Sequence, residues 1–454
     1  MTLLDDLRKL LGPAHVLTGA DLAKYTGDWS GHYRPNPCAV ARPADTAQVA
    51  AVLRCAAKHK VAVIPVSGLT GLVGGAMTNG GLMLSVERLN KIREIRPATR
   101  IAIVEAGVVL QSLHDAAEAQ GLYFPLWFGA RGSAMIGGVL STNAGGSNVV
   151  RYGSTRALCL GLEVVLPDGA IWHGLHRLRK DNTGYDLRHL MIGSEGTLGV
   201  ITAASLRLFP KPAAEGAALM VVPDPAAALR LLAMAQARSG EISAFELISG
   251  MGLRFLAETM PQIRQPFADS PDWMVLIDLG LATGSPEALL GDLFEAALAE
   301  GLVQDGLIAQ SGPQRAQFWA LRETIPLANR AVGAVSSHDI SLPLGEVAGF
   351  IRDADQALTG LGSWRINCFG HLGDGNLHYN VFPPKGEKAA AYQDKAEAVQ
   401  DLVHSMVMAR GGSFSAEHGI GRMKVEELAH YRGRIELDTG LLERSLRGPA
   451  LGRK

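Results

Sequence analysis

The residues best equipped for chemistry lie toward the end of the chain. Trp364–Val381 reads Trp-Arg-Ile-Asn-Cys-Phe-Gly-His-Leu-Gly-Asp-Gly-Asn-Leu-His-Tyr-Asn-Val, with His371 and His378 on either side of Asp374-Gly375. An Asp-Gly pair between two strand-like runs is a strong signal for a two-residue hairpin turn. With that pair as the tip, Leu372 faces Leu377, His371 faces His378 and Phe369 faces Asn380. Strand side chains alternate, so His371, His378 and Asn380 share one face. Two opposed imidazoles with an acid nearby make a site for a divalent metal. The acid is not local, but Ser415-Ala416-Glu417-His418-Gly419-Ile420-Gly421 brings a Glu-His pair in a second glycine-bounded segment. Read alone, a His-x6-His spacing more often describes two cross-strand histidines that are solvated or hydrogen-bonded to each other. The glycines around both segments favour a backbone bent around a ligand.

A second set of candidates is built from glycine. The 53 glycines in 454 residues exceed the ~7% average, and the excess is clustered. Pro65–Gly75 contains Ser67, Gly68, Leu69, Thr70, Gly71 and Gly74 after a strand-like run. Such a loop can turn successive N–H groups into one concavity that binds an anion, with hydroxyls as extra donors. Gly132–Gly146 alternates small and apolar residues, including Ser133, Gly137, Gly138, Asn143 and Gly145, and lets backbone approach a flat ligand closely. Gly193–Thr202 adds Gly196 and Ile201. Each cluster alone also describes a ligand-free turn or a closely packed small-residue helix. Three within about 140 residues are better explained by one long cofactor.

The elements that must carry these residues follow from periodicity. Helical spacing covers Leu3–Leu11, Thr46–His59, Val109–Gln120, Pro225–Arg238, Pro286–Glu300 and Val399–Ala409. Strand-like runs are Val61–Val66, Gly161–Leu166 with a hairpin return at Ala170–Trp172, Ala217–Val222 and Met274–Leu281. Pro210–Gly216 reads as a linker between two α/β blocks and a separate α+β region. Neither GxGxxG nor GxxxxGK[ST] occurs, which counts against Rossmann and P-loop nucleotide sites.

Composition narrows the classes further. Hydrophobic residues are 47% and charged residues 19%, which excludes a disordered chain. Lys+Arg 43 against Asp+Glu 44 gives a net charge of −1, so no global pull toward nucleic acid or anionic membrane is expected. Cys38, Cys55, Cys159 and Cys368 are scattered, which argues against an iron–sulfur cluster and suits a reducing compartment. The acidic start of the chain does not resemble a secretory signal, and no run of about 18 apolar residues occurs. A cytoplasmic location without a membrane span is the expectation.

The order of the three glycine clusters resembles the FAD-binding domain of the vanillyl-alcohol oxidase-like flavoproteins. Within that superfamily, residues 36–436 are most similar to the D-2-hydroxyacid dehydrogenases, which act on D-lactate, glycolate or D-2-hydroxyglutarate. The resemblance implies an α+β fold: a two-subdomain FAD-binding domain over 1–210, a substrate (cap) domain with the metal-site hairpin over 211–400, and a segment over 401–454 returning to the FAD domain. It implies that the first loop (Ser67, Gly68, Leu69, Thr70, Gly71, Gly74) binds the FAD pyrophosphate. Pro125, Gly132, Ser133, Gly137, Gly138, Asn143, Gly145, Gly146 and Gly196 line the rest, and Ile201 packs near the adenine or isoalloxazine. No His or Cys stands in the first loop, so the flavin is expected to be noncovalent. Ser67 and Leu69 depart from frequent glycines of the family.

By the same resemblance His371, His378 and Glu417 hold a divalent metal, zinc or manganese; His418 is the catalytic base; Asn380 and Arg322 bind substrate. A bidentate guanidinium suits a carboxylate, although an arginine picked from sequence is more often paired with a nearby acid such as Glu323. Pro326 and Ser337 stand where hydroxyglutarate-type members carry a Thr and a Lys, which puts a second carboxylate clamp in question; His338 is a partial substitute or a structural residue. The end, Asp438-Thr439-Gly440-Leu441 to Gly452-Arg453-Lys454, lacks the family's closing segment and is open to disorder. The implied reaction is metal-assisted oxidation of a D-2-hydroxy acid to the 2-keto acid, with hydride passing to flavin N5. The electrons then go to an external electron-transfer flavoprotein, quinone or cytochrome. A homodimer is one assembly it allows. The rival functions are a metal-independent flavin oxidase or synthase on this scaffold and a non-catalytic FAD-binding subunit of a larger complex.

Overall fold

In the computed structural model, residues 2–27, 31 and 33–437 are described. The atypical end, Asp438–Lys454, lies outside the described residues. The chain forms two units. The first takes residues up to Gly145, Gly153–Lys211, and the chain from Glu417 onward; the second takes Gly146–Tyr152 and Pro212–Ala416.

Among the described residues the first unit holds a four-stranded sheet, a five-stranded sheet and a two-stranded pair. β1 (Val16–Leu17), β2 (Ala39–Ala41), β3 (Val63–Val66) and β4 (Leu82–Ser85) run in the order β1-β2-β4-β3. β2 and β3 are both parallel to β4, and parallel neighbours need a crossover. The Thr46–Lys58 helix lies between β2 and β3 in sequence. The Asp45 side chain caps it on the Gln48 N–H, and Val49, Val52, Leu53 and Ala56 are buried against Leu82 and Leu84. The second sheet joins β5 (Ile92–Arg96), β6 (Ile101–Glu105), β8 (Cys159–Val165), β9 (Ile171–Gly174) and β10 (Val200–Arg207) as β5-β6-β10-β8-β9, while β7 (Leu122–Tyr123) pairs β11 (Phe209–Pro210). The expected hairpin return therefore forms, one residue later than the alternation suggests. The expected linker is cut short on both sides, because Phe209–Pro210 and Ala214 onward are strand.

The second unit is a seven-stranded antiparallel sheet, β15-β12-β14-β13-β17-β18-β16. Its strands are β12 (Ala214–Val222), β13 (Ile242–Ser249), β14 (Trp273–Leu281), β15 (Asp305–Ile308), β16 (Ser336–Ser341), β17 (Arg365–His371) and β18 (Asn376–Phe382). Alternation assigns the two faces. Met220, Phe245, Leu247, Val275, Ile277, Ile340 and Tyr379 pack under the helices Pro225–Arg238, Pro286–Ala299, Val347–Leu358 and Gln393–Ala409. Leu219, Ile248, Leu276, Phe369 and Phe382 pack under Gly250–Thr259 and Gly312–Val332. Helices cover both faces of this antiparallel sheet, and with the sheets of the first unit the chain is α+β. Among the described residues no helix is long and apolar enough to cross a membrane.

The histidine hairpin differs from the counted register. Phe369, not His371, pairs with His378, and Arg365 pairs with Phe382. The turn is longer than Asp374-Gly375: Leu372–Asp374 forms a 3-10 turn, and Gly375 closes it at φ +82°. His371 sits opposite Glu246 of β13 instead. The slip is two residues. An even slip leaves every side chain on its face, whereas an odd one reverses them all. His371, His378 and Asn380 therefore keep the shared face despite the wrong partners.

Gly375 is a point where this hairpin can be broken. A Cβ there would lie 2.2 Å from the Leu342 carbonyl oxygen, in a left-handed backbone conformation. Gly375→Ala is expected to cost about 1–3 kcal/mol, read as a lowered Tm; an unchanged Tm would contradict the described turn.

Candidate functional site

The first unit brings its three glycine clusters together through backbone. The loop after β3 starts at Ser67, whose Oγ accepts the Gly138 N–H at 3.2 Å. Gly68 lies so close to the second cluster that a Cβ would meet the Ser133 carbonyl oxygen at 2.2 Å. Leu69 turns the backbone at φ +54° while its side chain packs beside Val66 and Met83. Gly137 donates to the Ala106 carbonyl at 2.7 Å and stands second in the short helix Ile136–Ser141. Part of the second cluster is thus a small-residue helix, packed so tightly that a Cβ on Gly137 would overlap Ala106. The third cluster joins the second where Gly193 and Glu195 donate to Leu140 and Ser141, and it approaches the first where Gly196 faces Pro65.

The remaining predicted cofactor residues are less uniform. Thr70 is partly exposed and Gly71 exposed, Gly74 lies under the Tyr33 ring, Pro125 is buried, and Gly132 is exposed. Asn143 stands at φ +50°, and its Oδ1 accepts from the Arg156 N–H and the Ser154 hydroxyl. Gly145 ends the first-unit stretch, whereas Gly146 opens the Gly146–Tyr152 excursion into the second unit. Ile201 is buried in β10 opposite Val164. Glu195 was not anticipated. Its carboxylate accepts the N–H groups of Ile420 and Gly421, both at 2.8 Å, and so ties the segment carrying Glu417 and His418 to the third cluster. An acid placed between glycines was the available signal.

The second unit concentrates its polar side chains on the sheet face under Gly312–Val332. Glu246, fully buried in β13, is the centre. Its Oε2 receives Nε of Arg322 at 2.8 Å and Nη2 at 2.7 Å, and its Oε1 lies 2.7 Å from Nδ1 of His371. Burial alone would raise this carboxyl, but the adjacent His371 and Arg322 outweigh it and hold it at about 2. Arg322 is therefore not paired with its neighbour Glu323. Its guanidinium is 4.8 Å from the centre of the Phe369 ring. Pro326 has no N–H to give the Arg322 carbonyl four residues earlier.

His378 repeats the pattern at longer range, with Nδ1 3.7 Å from Asp339. Asp339 is fixed in turn by the Asn376 amide at 2.9 Å. The two rings are 5.6 Å apart and nearly perpendicular, and one nitrogen of each lies within 4.8 Å of the other. The His371 Nδ1 thus meets a buried carboxylate at hydrogen-bond distance, which directs its Nε2 the other way and is the usual support of metal-binding histidine, while the His378 Nδ1 faces a buried carboxylate at longer range. The donor set fits a divalent cation. Asn380 donates to the Asn367 and His378 carbonyls, and Ser337 stands opposite it in β16. His338 lies on the other face, 3.2 Å from His404, and is structural. Ala416, the last residue of this unit, donates to the Asp339 carbonyl, and Glu417 is the next residue in the chain. Glu246 and Asp339 went unnoticed in the sequence, although Glu246 is a lone acid in the apolar run Ile242–Ser249.

Comparison with known proteins is consistent with both units. Residues 37–174 match the family described as FAD binding domain, and residues 211–439 match FAD linked oxidases, C-terminal domain. The D-2-hydroxyglutarate dehydrogenase of Xanthomonas citri pv. viticola is 39% identical over 435 residues, 93% of this chain and 91% of the relative. That of Stutzerimonas stutzeri is 36% identical, covering 96% of this chain and 94% of its own. The mitochondrial enzyme of Bos taurus is 38% identical, covering 94% and 78%. Among solved structures, p-cresol methylhydroxylase with substrate bound superposes with a TM-score of 0.76 over 98% of this chain and 94% of the other, at 17% identity. Alkyldihydroxyacetonephosphate synthase gives 0.71 over 97% and 82%, at 16%. At such identities these two likenesses concern the fold.

The cradle itself is testable. Gly68→Val pushes side-chain atoms into the Ser133 carbonyl and is expected to reduce bound flavin, measured as visible flavin absorbance per protein. Full flavin content in that variant would place the cofactor elsewhere.

Proposed function

Because the chain belongs to the FAD-dependent D-2-hydroxyacid dehydrogenases of the vanillyl-alcohol oxidase-like superfamily, and is thus an FAD-dependent oxidoreductase acting on a 2-hydroxy acid, we propose the following division of labour. The first unit binds FAD noncovalently on its glycine cradle. The second holds the substrate and a divalent metal, zinc or manganese, through His371 and His378, with Glu417 as third ligand. The histidine pair supports this reading: the His371 Nδ1 is hydrogen-bonded to the buried Glu246 carboxylate at 2.7 Å, and the His378 Nδ1 faces the buried Asp339 at 3.7 Å. Glu417 is supported by its place one peptide bond beyond Ala416, which is anchored to Asp339.

When bound, FAD would supply a hydride acceptor for the Cα hydrogen and the cation held by His371, His378 and Glu417 would supply polarisation of the substrate 2-hydroxyl. The chain's own residues do the rest. Arg322 meets the substrate carboxylate with its Nη1 edge, since Nε and Nη2 are engaged by Glu246. Asn380 contacts the substrate beside it. His418 takes the hydroxyl proton as general base. The 2-keto acid is released, and the electrons left on a bound flavin would pass to an external electron-transfer flavoprotein, quinone or cytochrome. Arg322 is a single clamp; Ser337 places a hydroxyl, not a cation, across from Asn380.

Dye reduction across a panel of D- and L-2-hydroxy acids, mono- and dicarboxylic, tests the reaction. The D series is expected to turn over and the L series not. Chelator treatment, His378→Ala and Glu417→Ala are expected to abolish turnover with flavin content unchanged. Normal turnover after all three would remove the metal from the mechanism and favour a metal-independent oxidase.

A further inference from the structure

We propose that Glu246 is a positioning residue that serves both substrate-handling groups of the second unit with one carboxylate. It sets the His371 imidazole for the cation and the Arg322 guanidinium for the substrate carboxylate. This rests on the roles given to His371 and Arg322 above; it adds the residue that makes those roles depend on each other.

The geometry allows few alternatives. Glu246 stands mid-strand in β13, hydrogen-bonded on one side to β14 and on the other to β17, so its backbone is a rigid support. His371 is its direct cross-strand partner. A carboxylate paired with arginine only accepts hydrogen bonds. Nε and Nη2 of Arg322 both converge on Oε2. Oε1, at 2.7 Å from Nδ1 of His371, then requires a proton on that nitrogen. With Nδ1 protonated, the neutral imidazole carries its lone pair on Nε2, the form a metal ligand needs. The same carboxylate holds one edge of the Arg322 fork while Phe369 supports its face, and the Nη1 edge is left to point past the pair. Stability alone does not account for the arrangement, because a buried ion pair contributes little beyond apolar residues of similar volume. Under the same helix, Asp278 offers an internal control. It binds Arg315 and Trp319 and touches neither His371 nor Arg322 in the bonds it makes.

The test uses the full-length, flavin-loaded protein with Zn2+ as probe and a competing chromogenic chelator. Glu246→Gln keeps the shape but presents an amide donor to a site built from donors. Its Zn2+ affinity is expected to fall about 10–100-fold, the range for loss of such a supporting partner, with KM for the hydroxy acid raised and flavin content unchanged. Glu246→Asp keeps the charge but withdraws it by one methylene, and is expected to lose affinity to a smaller extent. Asp278→Asn is expected to lower Tm while leaving Zn2+ affinity as in the parent. Parent-like affinity in Glu246→Gln overturns the proposal; should that variant not fold, parent-like affinity in Glu246→Asp does so. An equal loss of affinity in Asp278→Asn also overturns it, since the effect would then be general loosening. A parent protein that binds no Zn2+, or a His371→Ala variant that keeps full affinity, overturns the ligand reading and the proposal with it. That failure is recognised before any Glu246 variant is made.

Discussion

A carboxylate with no exposure to water, in the middle of a seven-stranded sheet, is the constraint on which the second unit is organised. Taking the Glu246 charge out of water costs several kcal/mol unless it is paired and hydrogen-bonded. A cation and donors must therefore arrive at that spot whenever the sheet forms. Arg322 comes from a helix 76 residues later and His371 from a strand 125 residues later. Neither can be displaced without leaving the charge exposed to an apolar surrounding. The two groups credited with binding cation and substrate are thus fixed by one desolvation penalty.

The helix Gly312–Val332 shows the same logic along its length. Arg315 and Trp319 reach Asp278, Arg322 reaches Glu246, and Asn329 meets the amide of Asn367. Residues 315, 319, 322 and 329 lie at helical spacing on one stripe. Beside them Leu321, Ile325 and Ala328 supply the apolar contact with the sheet. Apolar burial holds the helix down, but it is indifferent to small rotations and slides. The polar stripe is not, because the buried Asp278 and Glu246 carboxylates need their donors within hydrogen-bond distance. The helix is seated in one register, and Arg322 with it.

The first unit meets its task by other means. Its glycine clusters meet through main chain: Gly68 against Ser133, Gly137 against Ala106, Glu195 N–H on the Ser141 carbonyl. Backbone N–H groups aimed into a concavity suit a polyanionic cofactor, and the absence of Cβ atoms permits the approach. Glu195 adds one directional contact by gripping Ile420 and Gly421. The segment that supplies Glu417 and His418 is thereby fastened to the cofactor-binding unit and not left as a free tail.

Local patterning alone determined much of this protein. Helical spacing placed Pro225–Arg238 without error, strand alternation placed His371, His378 and Asn380 on one face, and clustered glycines marked stretches of backbone that the fold brings together. Those features depend on neighbours a few residues apart, where φ/ψ preference and side-chain period act directly. Only the tertiary structure decided that Phe369 rather than His371 opposes His378, that Arg322 answers to Glu246 and not Glu323, and that His338 turns to His404 on the far face. A buried charge chooses its partner by what the whole sheet brings within about 3 Å, and sequence separation does not enter that choice. A lone glutamate in an apolar strand announces that some partner must exist; the fold alone names it.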